Sequence, residues 1–584
     1  MNLGDSAGAV DIQCGQVFHL AVRHGQHAVV GLTRRVGGME LDLIIKNANV
    51  ITMDEAHPVA STVGVWNGRI VGVDGEIANL GARRIVDAAG ATLIPGFQDV
   101  HNHMATYGQQ LQEIDASGFT EANQLYDAVA AVVAADPDRE WITGSGYDQT
   151  RLGGHPEREK LDKASGGRKV MFIHRTCHML AASTAVFDAV GAMSPDFPVA
   201  PGGFIERDER LMPTGLVAEQ AMTPFKNLRK PFSEGDLVKA LGLASERYLA
   251  EGLTSVSEAG IGDSPMVGSS PVEMAAYQTG HESGKIRVRT QLMVAMENFH
   301  EITTAGVDGY SLGLDLGLRT GLGDERLSLG PLKVFTDGAL MSRTASMTEN
   351  FCGHDHAGVM QFGESELKEI AVSAHRGGWQ LAVHAIGDNA VDIALDMIQA
   401  ATESKKRIDP RHRIEHASVV RPDQLGRFVD LGIIPSPQGR FVYEIGDGVA
   451  EVIGAERLPW TYRHRSFLDA GLVVPGGSDR PVVQGAPLKA LQAMVERRTS
   501  SGAEFNLHEG VSAFEALKSY TVDSAYASRE EHSKGRIKER FLADMVLLDA
   551  DPTSVNSNEI GDISVLATLV GGTAEYDPNG LFSN

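Results

Sequence analysis

Short apolar runs alternate with helical stretches through the middle of the chain, between residues 91 and 534. Apolar runs in such a series are typical of parallel strands, which are buried on both faces of a sheet. Eight runs qualify, and eight parallel strands close a (β/α)8 barrel. The runs begin near Thr92, Leu253, Ile286, Leu329, Trp379, His412, Leu431 and Leu472. The pattern therefore predicts an α/β fold built on a TIM-type barrel.

The rest of the chain predicts three further parts. Residues 105–240 are too many for one connecting loop, and they contain the apolar run Lys169–His174, so we expect an inserted subdomain there. Residues 39–90 and 535–584 show short alternating runs separated by turn signals. We expect these two ends to pair in one small composite β-sandwich domain. Residues 1–38 have no clear period, and we predict a disordered extension.

Composition narrows the classes of function. With 42% apolar and 22% charged residues, the chain can bury a large core. A net charge of -24 argues against a nucleic-acid partner, because binding to phosphates depends on clustered lysine and arginine. The cysteines Cys14, Cys177 and Cys352 are far apart, which argues against disulfides and a cysteine zinc site. No apolar stretch approaches the roughly 20 residues of a membrane span. We expect a cytoplasmic protein with neither a nucleic-acid nor a membrane partner.

Two histidines end the first apolar run. His101 and His103 are two residues apart, a spacing that puts both side chains on one face of a strand and lets both imidazoles reach one ion. His354 and His356 have the same spacing, but no apolar run precedes them, and we predict a surface or lid loop there.

Four further polar residues end later apolar runs: Lys333, His384, His416 and Asp479. A single buried histidine is more often a hydrogen-bonded core residue than a ligand, and an aspartate at a strand end is often a helix cap. Four such residues at matching strand ends are better explained by one shared site, because these barrels carry their active sites at the carboxyl ends of the strands.

Five segments resemble the amidohydrolase superfamily, and within it the YtcJ-like branch that includes N-substituted formamide deformylases. The resemblance extends from Met39 to the end of the chain. Its segments are Pro-Gly-Phe-Gln-Asp-Val-His-Asn-His at 95–103, Lys-Val-Phe-Thr-Asp-Gly-Ala-Leu at 333–340 followed by Thr-Ala at 344–345, His-Ala-Ile-Gly-Asp at 384–388, Arg-Ile-Glu-His at 413–416 and Gly-Ser-Asp-Arg-Pro-Val at 477–482.

The resemblance implies a metal-dependent hydrolase that cleaves a non-peptide C–N bond of a small amide or formamide with metal-activated water. It implies two divalent metal ions, with zinc expected and manganese, cobalt or iron as alternatives. His101 and His103 would bind one ion, and His384 and His416 the other. Lys333 would bridge both ions as a carboxylated side chain, and Asp479 would be a ligand and the general base.

Lys333 stands among apolar residues, where a charged ammonium group is unfavourable, and this supports carboxylation. An ordinary lysine paired with Asp479 or Asp337 stays open as the alternative.

Three residues are candidates for contact with the substrate. His178 matches a histidine that the family has near the substrate, although its Arg-Thr-Cys context differs from the family pattern. Asp337 and Arg343 could orient a substrate or support Lys333, but Asp337 followed by Gly338 is also an ordinary turn signal. We expect Asp388 to cap the helix after the fifth strand.

Two other functions stay open. One is a mononuclear aminohydrolase of the deaminase type on the same barrel, which needs no bridging Lys333. The other is a non-catalytic metal-binding protein, for which a general base at Asp479 would have no use. A homodimer is the candidate assembly.

Overall fold

A computed structural model of the chain describes residues 40–174, 179–199, 203–264 and 266–583. The predicted extension at 1–38 lies outside the described residues. Within them, the strands form one two-stranded sheet, His300–Glu301 with Leu312–Gly313, and four larger sheets of four to seven strands.

The seven-stranded sheet is parallel throughout and forms the centre of the fold. We number its strands in chain order: β1 Phe97–Asn102, β2 Leu253–Ile261, β3 Arg289–Ala295, β4 Leu327–Phe335, β5 Leu381–Ala385, β6 Arg413–His416 and β7 Ile434–Ser436. Each strand pairs with the next one in this order, so the sheet is a series of βα units. The strands are almost entirely buried, as is typical of a parallel sheet that is covered on both faces.

Helices follow or connect these strands and pack their apolar sides on the sheet. Ile370, Ala374, Val391 and Leu395, for example, share one core with β4 and β5. The α-helices of this part are Met104–Gln110, Glu234–Ala250, Glu273–Glu282, Glu364–Gly377, Asp388–Ser404, Leu425–Leu431, Phe441–Ile453, His464–Asp469, Pro487–Glu496, Ala513–Lys518 and Ser524–Ala527. No helix among the described residues combines the length and the apolar character that a membrane crossing requires.

The first barrel strand begins later than we predicted. Thr92–Pro95 pairs with Met545–Leu548 in a different sheet, and β1 begins only at Phe97. Gly96 separates the two strands, and a Cβ atom there would lie 2.2 Å from Thr254 Oγ1 on β2. The prediction of a barrel strand from Thr92 is therefore wrong, because one apolar run contains strands of two sheets.

The seventh and eighth predicted strands also differ. Leu431 is the last residue of a helix, and β7 begins at Ile434. The run from Leu472 has no regular strand, although it lies beside β1: Val100 N donates to Gly476 O at 3.0 Å, and Ser478 N donates to His101 O at 3.1 Å. The described residues thus contain a curled sheet of seven strands, and this segment lies along its edge at β1.

A second sheet of six strands lies in the chain between β1 and β2. Its strands are Ile114–Asp115, Trp141–Tyr147, Lys169–His174, Met179–Ala182, Phe204–Arg207 and Pro213–Ala218, and its helices are Ala122–Ala135, Gln149–Leu152, Arg158–Ser165, Thr184–Val190 and Thr223–Asn227. The predicted boundary at 240 falls inside the helix Glu234–Ala250. That helix packs on β1 and β2 through Leu237, Leu241 and Tyr248, so it belongs to the parallel sheet.

The two chain ends meet in a third region. A four-stranded sheet contains Glu40–Lys46, Val63–Trp66, Arg69–Val73 and Gly81–Asp87, and a six-stranded sheet contains Asn49–Ile51, Val59–Ala60, Thr92–Pro95, Met545–Leu548, Val565–Val570 and Thr573–Tyr576. Residues of both sheets, including Ile45, Val63, Leu93 and Leu547, share one apolar core. The pairing of Thr92–Pro95 with Met545–Leu548 joins the beginning of the chain to its end.

Candidate active site

Six of the predicted residues line one cavity of about 280 Å³ at the carboxyl ends of the parallel strands. The sheet brings them together although they are far apart in the sequence, because β1, β4, β5, β6 and the segment after Gly476 all end at this side. They are His101, His103, Lys333, His384, His416 and Asp479.

The centre of the cluster is tight. One ligand atom from each of His101, His416 and Asp479 lies within 4.8 Å of the other two, and all three residues are buried. Asp479 Oδ1 is 3.5 Å from His101 Nε2 and 3.2 Å from His103 Nε2. Lys333 Nζ is 3.2 Å from His101 Nε2. The side chains therefore converge on a space of the size of a small ion site.

Neighbouring side chains determine which ring nitrogen His101 and His416 present to the cavity. His101 Nδ1 donates to Glu415, which is itself held by Arg413. His416 Nδ1 donates to Gln438 Oε1 at 2.9 Å. Since one nitrogen of each neutral ring carries the proton of these bonds, Nε2 is left as an electron-pair donor, as in most protein metal sites.

Neighbouring oxygen atoms also orient the rings of His103 and His384. His103 Nδ1 lies 3.4 Å from Glu258 Oε1 on β2, which leaves Nε2 toward Asp479. His384 Nε2 donates to Gly338 O at 3.1 Å, so Nδ1 is its electron-pair donor.

The four histidines of the cluster differ in their pKa values. Burial lowers the pKa of His101 and His416 far below the usual value and lowers the pKa of His384 to about 3, so these rings are neutral at pH 7. For His103, burial is outweighed by the carboxylates of Asp479 and Glu258, which raise its pKa to about 9. The neutral rings of His101, His384 and His416 have the protonation state that a metal requires of a histidine ligand.

Burial also acts on Lys333. It lowers the pKa of this amine to about 8, although nearby carboxylates favour the charged form. Lys333 contacts His101 Nε2 and lies 5.0 Å from the ring centre of Phe335. A fraction of this amine is therefore neutral, and thus nucleophilic, near pH 7.

Asp99 positions the segment that carries Asp479. Its carboxylate accepts hydrogen bonds from Ser478 Oγ, Ser478 N and His101 N, at 2.5, 3.1 and 3.1 Å. Asp479 and His416 both have left-handed backbone conformations, with φ of 57° and 67°. Such strain is typical of functional residues that are held by their surroundings.

Neither Asp337 nor Arg343, the two predicted substrate contacts that the structure describes, lines the cavity. Asp337 is fully buried, and its carboxylate accepts from Ile386 N, Gly387 N and Ser346 N, at 3.1, 2.8 and 2.9 Å. It fixes the loops around His384. Arg343 is half-buried in the turn after β4 with φ of 57°. His178 lies outside the described residues.

Two further predictions can be compared with the structure. Gly387, and not Asp388, is the cap of the helix after β5, and the Asp388 carboxylate accepts from Thr348 N at 3.0 Å and pairs with Arg421. His354 and His356 are exposed and do not line the cavity. The two His-x-His pairs therefore have different surroundings, as their flanking residues predicted.

Comparison with known proteins identifies the family. The amidohydrolase family matches residues 84–575. The chain belongs to this family. As an amidohydrolase of the YtcJ-like branch, it is an enzyme that hydrolyses C–N bonds other than peptide bonds.

Relatives of this amidohydrolase cover nearly its full length. N-substituted formamide deformylase of Arthrobacter pascens is 30% identical over 559 residues, which are 92% of this chain and 99% of the relative. The putative amidohydrolase YtcJ of Bacillus subtilis is 27% identical and covers 84% of this chain and 89% of its own. A metal-dependent hydrolase of Pyrococcus furiosus has a TM-score of 0.72 and 26% identity, with coverage of 88% and 100%.

The amidohydrolase site also contains residues that sequence reasoning missed. Glu258, Glu415 and Gln438 orient three of the histidines, and Asp99 holds the Asp479 segment. The available signal was an acidic residue within a predicted barrel strand, as at Glu258 and Glu415. A buried charge in such a strand requires a partner.

Proposed function

We propose that the protein binds two divalent metal ions, zinc by expectation, and hydrolyses a small amide or formamide. The observation that carries this proposal is the convergence of four imidazoles, one amine and one carboxylate at one cavity. His101 and His103 would hold one ion, His384 and His416 the other, and Asp479 would contribute an oxygen ligand.

The residues fit this assignment on three grounds. Histidine and carboxylate donors suit zinc, manganese, cobalt and iron. Burial keeps three of the rings neutral, and second partners direct one unprotonated nitrogen of each ring inward. The atoms of His101, His416 and Asp479 are also close enough to share an ion.

Lys333 is proposed to act as a bridging ligand after carboxylation. The neutral amine would attack carbon dioxide, form a carbamate C–N bond and release one proton, which converts a nitrogen donor into a pair of oxygen donors. The position of Nζ beside His101 Nε2 and its lowered pKa support this role. An unmodified Lys333 would bring a positive charge next to the metal ligands, which is unfavourable.

The chain's own residues would carry the proton transfers of hydrolysis. When bound, the metal ions supply Lewis acidity and make water more acidic. The Asp479 carboxylate would accept a proton from the attacking water and return it to the leaving nitrogen, so that amide and water become carboxylic acid and amine. Asp99 would maintain the position of Asp479 during both transfers.

The proposal also concerns the barrel around this site. We infer that the segment from Leu472 takes the eighth position of a (β/α)8 barrel, which its hydrogen bonds to β1 support. The substrate class is inferred from the site and from the name of the Arthrobacter pascens relative, an N-substituted formamide deformylase.

Metal analysis together with paired variants tests the proposal. We expect two ions per chain and hydrolysis of formamides by the wild-type protein. His101→Ala with His103→Ala should lose metal and activity, whereas the matched pair His354→Ala with His356→Ala in the exposed loop should keep both.

Three results would argue against the proposal. One ion per chain with an active Lys333→Ala variant would favour the mononuclear aminohydrolase. Metal-replete protein without turnover of any amide, formamide, carbamate or lactone would favour a binding protein. Equal loss of metal in the two histidine pairs would remove the assignment of the ligands.

A further inference from the structure

Apart from the proposed ligands, the wall of the catalytic cavity is almost entirely apolar. Ser418 and Ala339 contribute one small polar and one small apolar side chain. The other eight lining residues, which we call the apolar wall, are Phe335, Leu340, Met341, Ile386, Phe441, Ile445, Tyr462 and Val482. A substrate group that extends from the ligand cluster therefore contacts hydrocarbon and aromatic surface.

The apolar wall extends from the bottom of the cavity to its mouth. Phe335, Leu340, Ile386, Phe441 and Tyr462 are all buried, whereas Met341 is 46% and Val482 is 59% exposed. Met341 and Val482 thus form an apolar rim that a substrate passes on its way to the ligands. Such a surface favours groups that lose little hydration on entry.

No guanidinium or ammonium group lines this cavity among the described residues, except for Lys333 within the ligand cluster. The nearest arginine in sequence, Arg480, follows Asp479 directly but faces away. Its guanidinium lies 4.5 Å from the ring centre of Tyr107, and Nη2 is 2.7 Å from Glu251 Oε2. An anionic substituent that lies along the apolar wall would therefore lose water without gaining a counter-charge from the wall.

A neighbouring cavity makes the contrast clear. The loop at 480–484 separates the catalytic cavity from a space of about 640 Å³ that is lined by Arg247, Arg480, Glu113 and Glu251, among others. The fold thus does build a charged cavity beside the site. Its charged groups are on the other side of the loop, away from the proposed ligands.

The volume of the catalytic cavity limits the size of the substrate. A cavity of about 150 Å³ is enough to bind benzene. The catalytic cavity of about 280 Å³ therefore accepts one ring, or a branched alkyl group of similar size, together with a compact amide group.

We propose that the substrate is an uncharged amide with a single apolar substituent of about one ring, and that the apolar wall rejects amides with an anionic substituent. This inference rests on the proposed function of the site, because it assumes that the scissile C–N bond lies at the ligand cluster.

A matched pair of probes tests the selectivity. The probes N-(3,3-dimethylbutyl)formamide and 2-formamidoethanesulfonate carry tetrahedral groups of similar size, tert-butyl and sulfonate, and differ in charge. We expect kcat/KM of the metal-replete protein to be at least a hundredfold higher for the tert-butyl compound. A ratio near one would overturn the inference.

A second pair separates selectivity from turnover. The ketones 5,5-dimethylhexan-2-one and 3-oxobutane-1-sulfonate have the same substituents but no C–N bond, and their binding is measured by calorimetry. If only the tert-butyl ketone binds while no formamide is cleaved, the inference holds and the proposed function fails. If both ketones bind equally, or neither binds, the inference fails whatever the turnover.

Val482→Arg supplies the missing counter-charge at the exposed rim. We expect this variant to raise the ratio of sulfonate to tert-butyl kcat/KM by at least tenfold, while the neutral control Val482→Gln changes it by less than threefold. Equal changes in both variants would mean that steric effects, and not charge, govern entry.

Discussion

His412 and His416 lie at opposite ends of β6, and both are buried, yet their surroundings differ. His412 uses both ring nitrogens within the protein: Nδ1 accepts from Leu381 N at 3.0 Å, and Nε2 shares a hydrogen bond of 2.8 Å with His375 Nδ1. Among the described residues, His416 forms a hydrogen bond only through Nδ1, with Gln438, and its ring faces the cavity.

This comparison teaches how to distinguish a structural histidine from a ligand. Burial alone does not, because it lowers the pKa of both residues far below the usual value. The difference lies in the second nitrogen, which the fold satisfies in His412 and leaves toward a cavity in His416. Metal-binding histidines usually have one ring nitrogen hydrogen-bonded to the protein and the other free, and this pattern supports the proposed role of His416.

The largest expected effect concerns activity. His416→Ala should lower kcat/KM for a neutral formamide about 1000-fold, because it removes a proposed ligand. His412→Ala, assayed at low temperature where it is folded, should retain activity within about tenfold. A folded His412→Ala protein with the same 1000-fold loss would break the distinction between the two ends of β6.

Removal of the metal should lower the thermal stability of proteins that keep His416 and should affect a variant without His416 much less. A metal that binds only the folded state, at a free concentration of 1000 times its Kd, stabilises that state by about 4 kcal/mol. Stripping the metal with a chelator should therefore lower the Tm of the wild type and of His412→Ala by similar amounts. The Tm of His416→Ala should change much less, as measured by thermal unfolding with and without added zinc. Equal shifts in all three proteins would contradict the ligand role of His416.

The next effect is on stability without metal. His412→Ala should reduce the free energy of unfolding by about 2–3 kcal/mol, because it leaves His375 and the Leu381 amide without a buried partner. His416→Ala, measured in parallel by denaturant unfolding of metal-free protein, should cost less than about 1 kcal/mol. The reverse order would show that His416 is the structural residue.

The smallest effect concerns the orientation of the ring. Gln438→Leu removes the acceptor for His416 Nδ1 and should weaken metal binding about tenfold, as loss of an outer partner typically does. Gln438→Glu keeps an oxygen acceptor and should restore affinity to within about threefold of the wild type. Competition with a metal-binding dye measures both values, and an unchanged affinity in Gln438→Leu would exclude the orienting role.

Much of the parallel sheet, and of the set of residues that meet at the cavity, could be predicted because their signals are local. The strands from Leu253 and Leu329 were predicted from apolar residues, and His384 directly follows the apolar residues Leu381–Val383. Parallel order then brings the strand ends together without knowledge of any contact.

What could not be predicted depends on contacts between distant residues. Gly96 separates the strands of two sheets because Thr254 approaches it closely. The sequence pattern within 92–102 does not indicate this contact. The role of Asp337 follows from three amides in two other loops. The turn signal at Asp337 and Gly338 described only the local chain, so it did not identify these partners.

The left-handed backbone at His416 and Asp479 has a consequence for engineering. A non-glycine residue pays about 1–2 kcal/mol for this conformation, and glycine does not. When metal is absent, laboratory evolution that selects for heat tolerance alone will therefore favour glycine at these two positions and enrich inactive enzymes. A library of this protein needs a selection for turnover in every round.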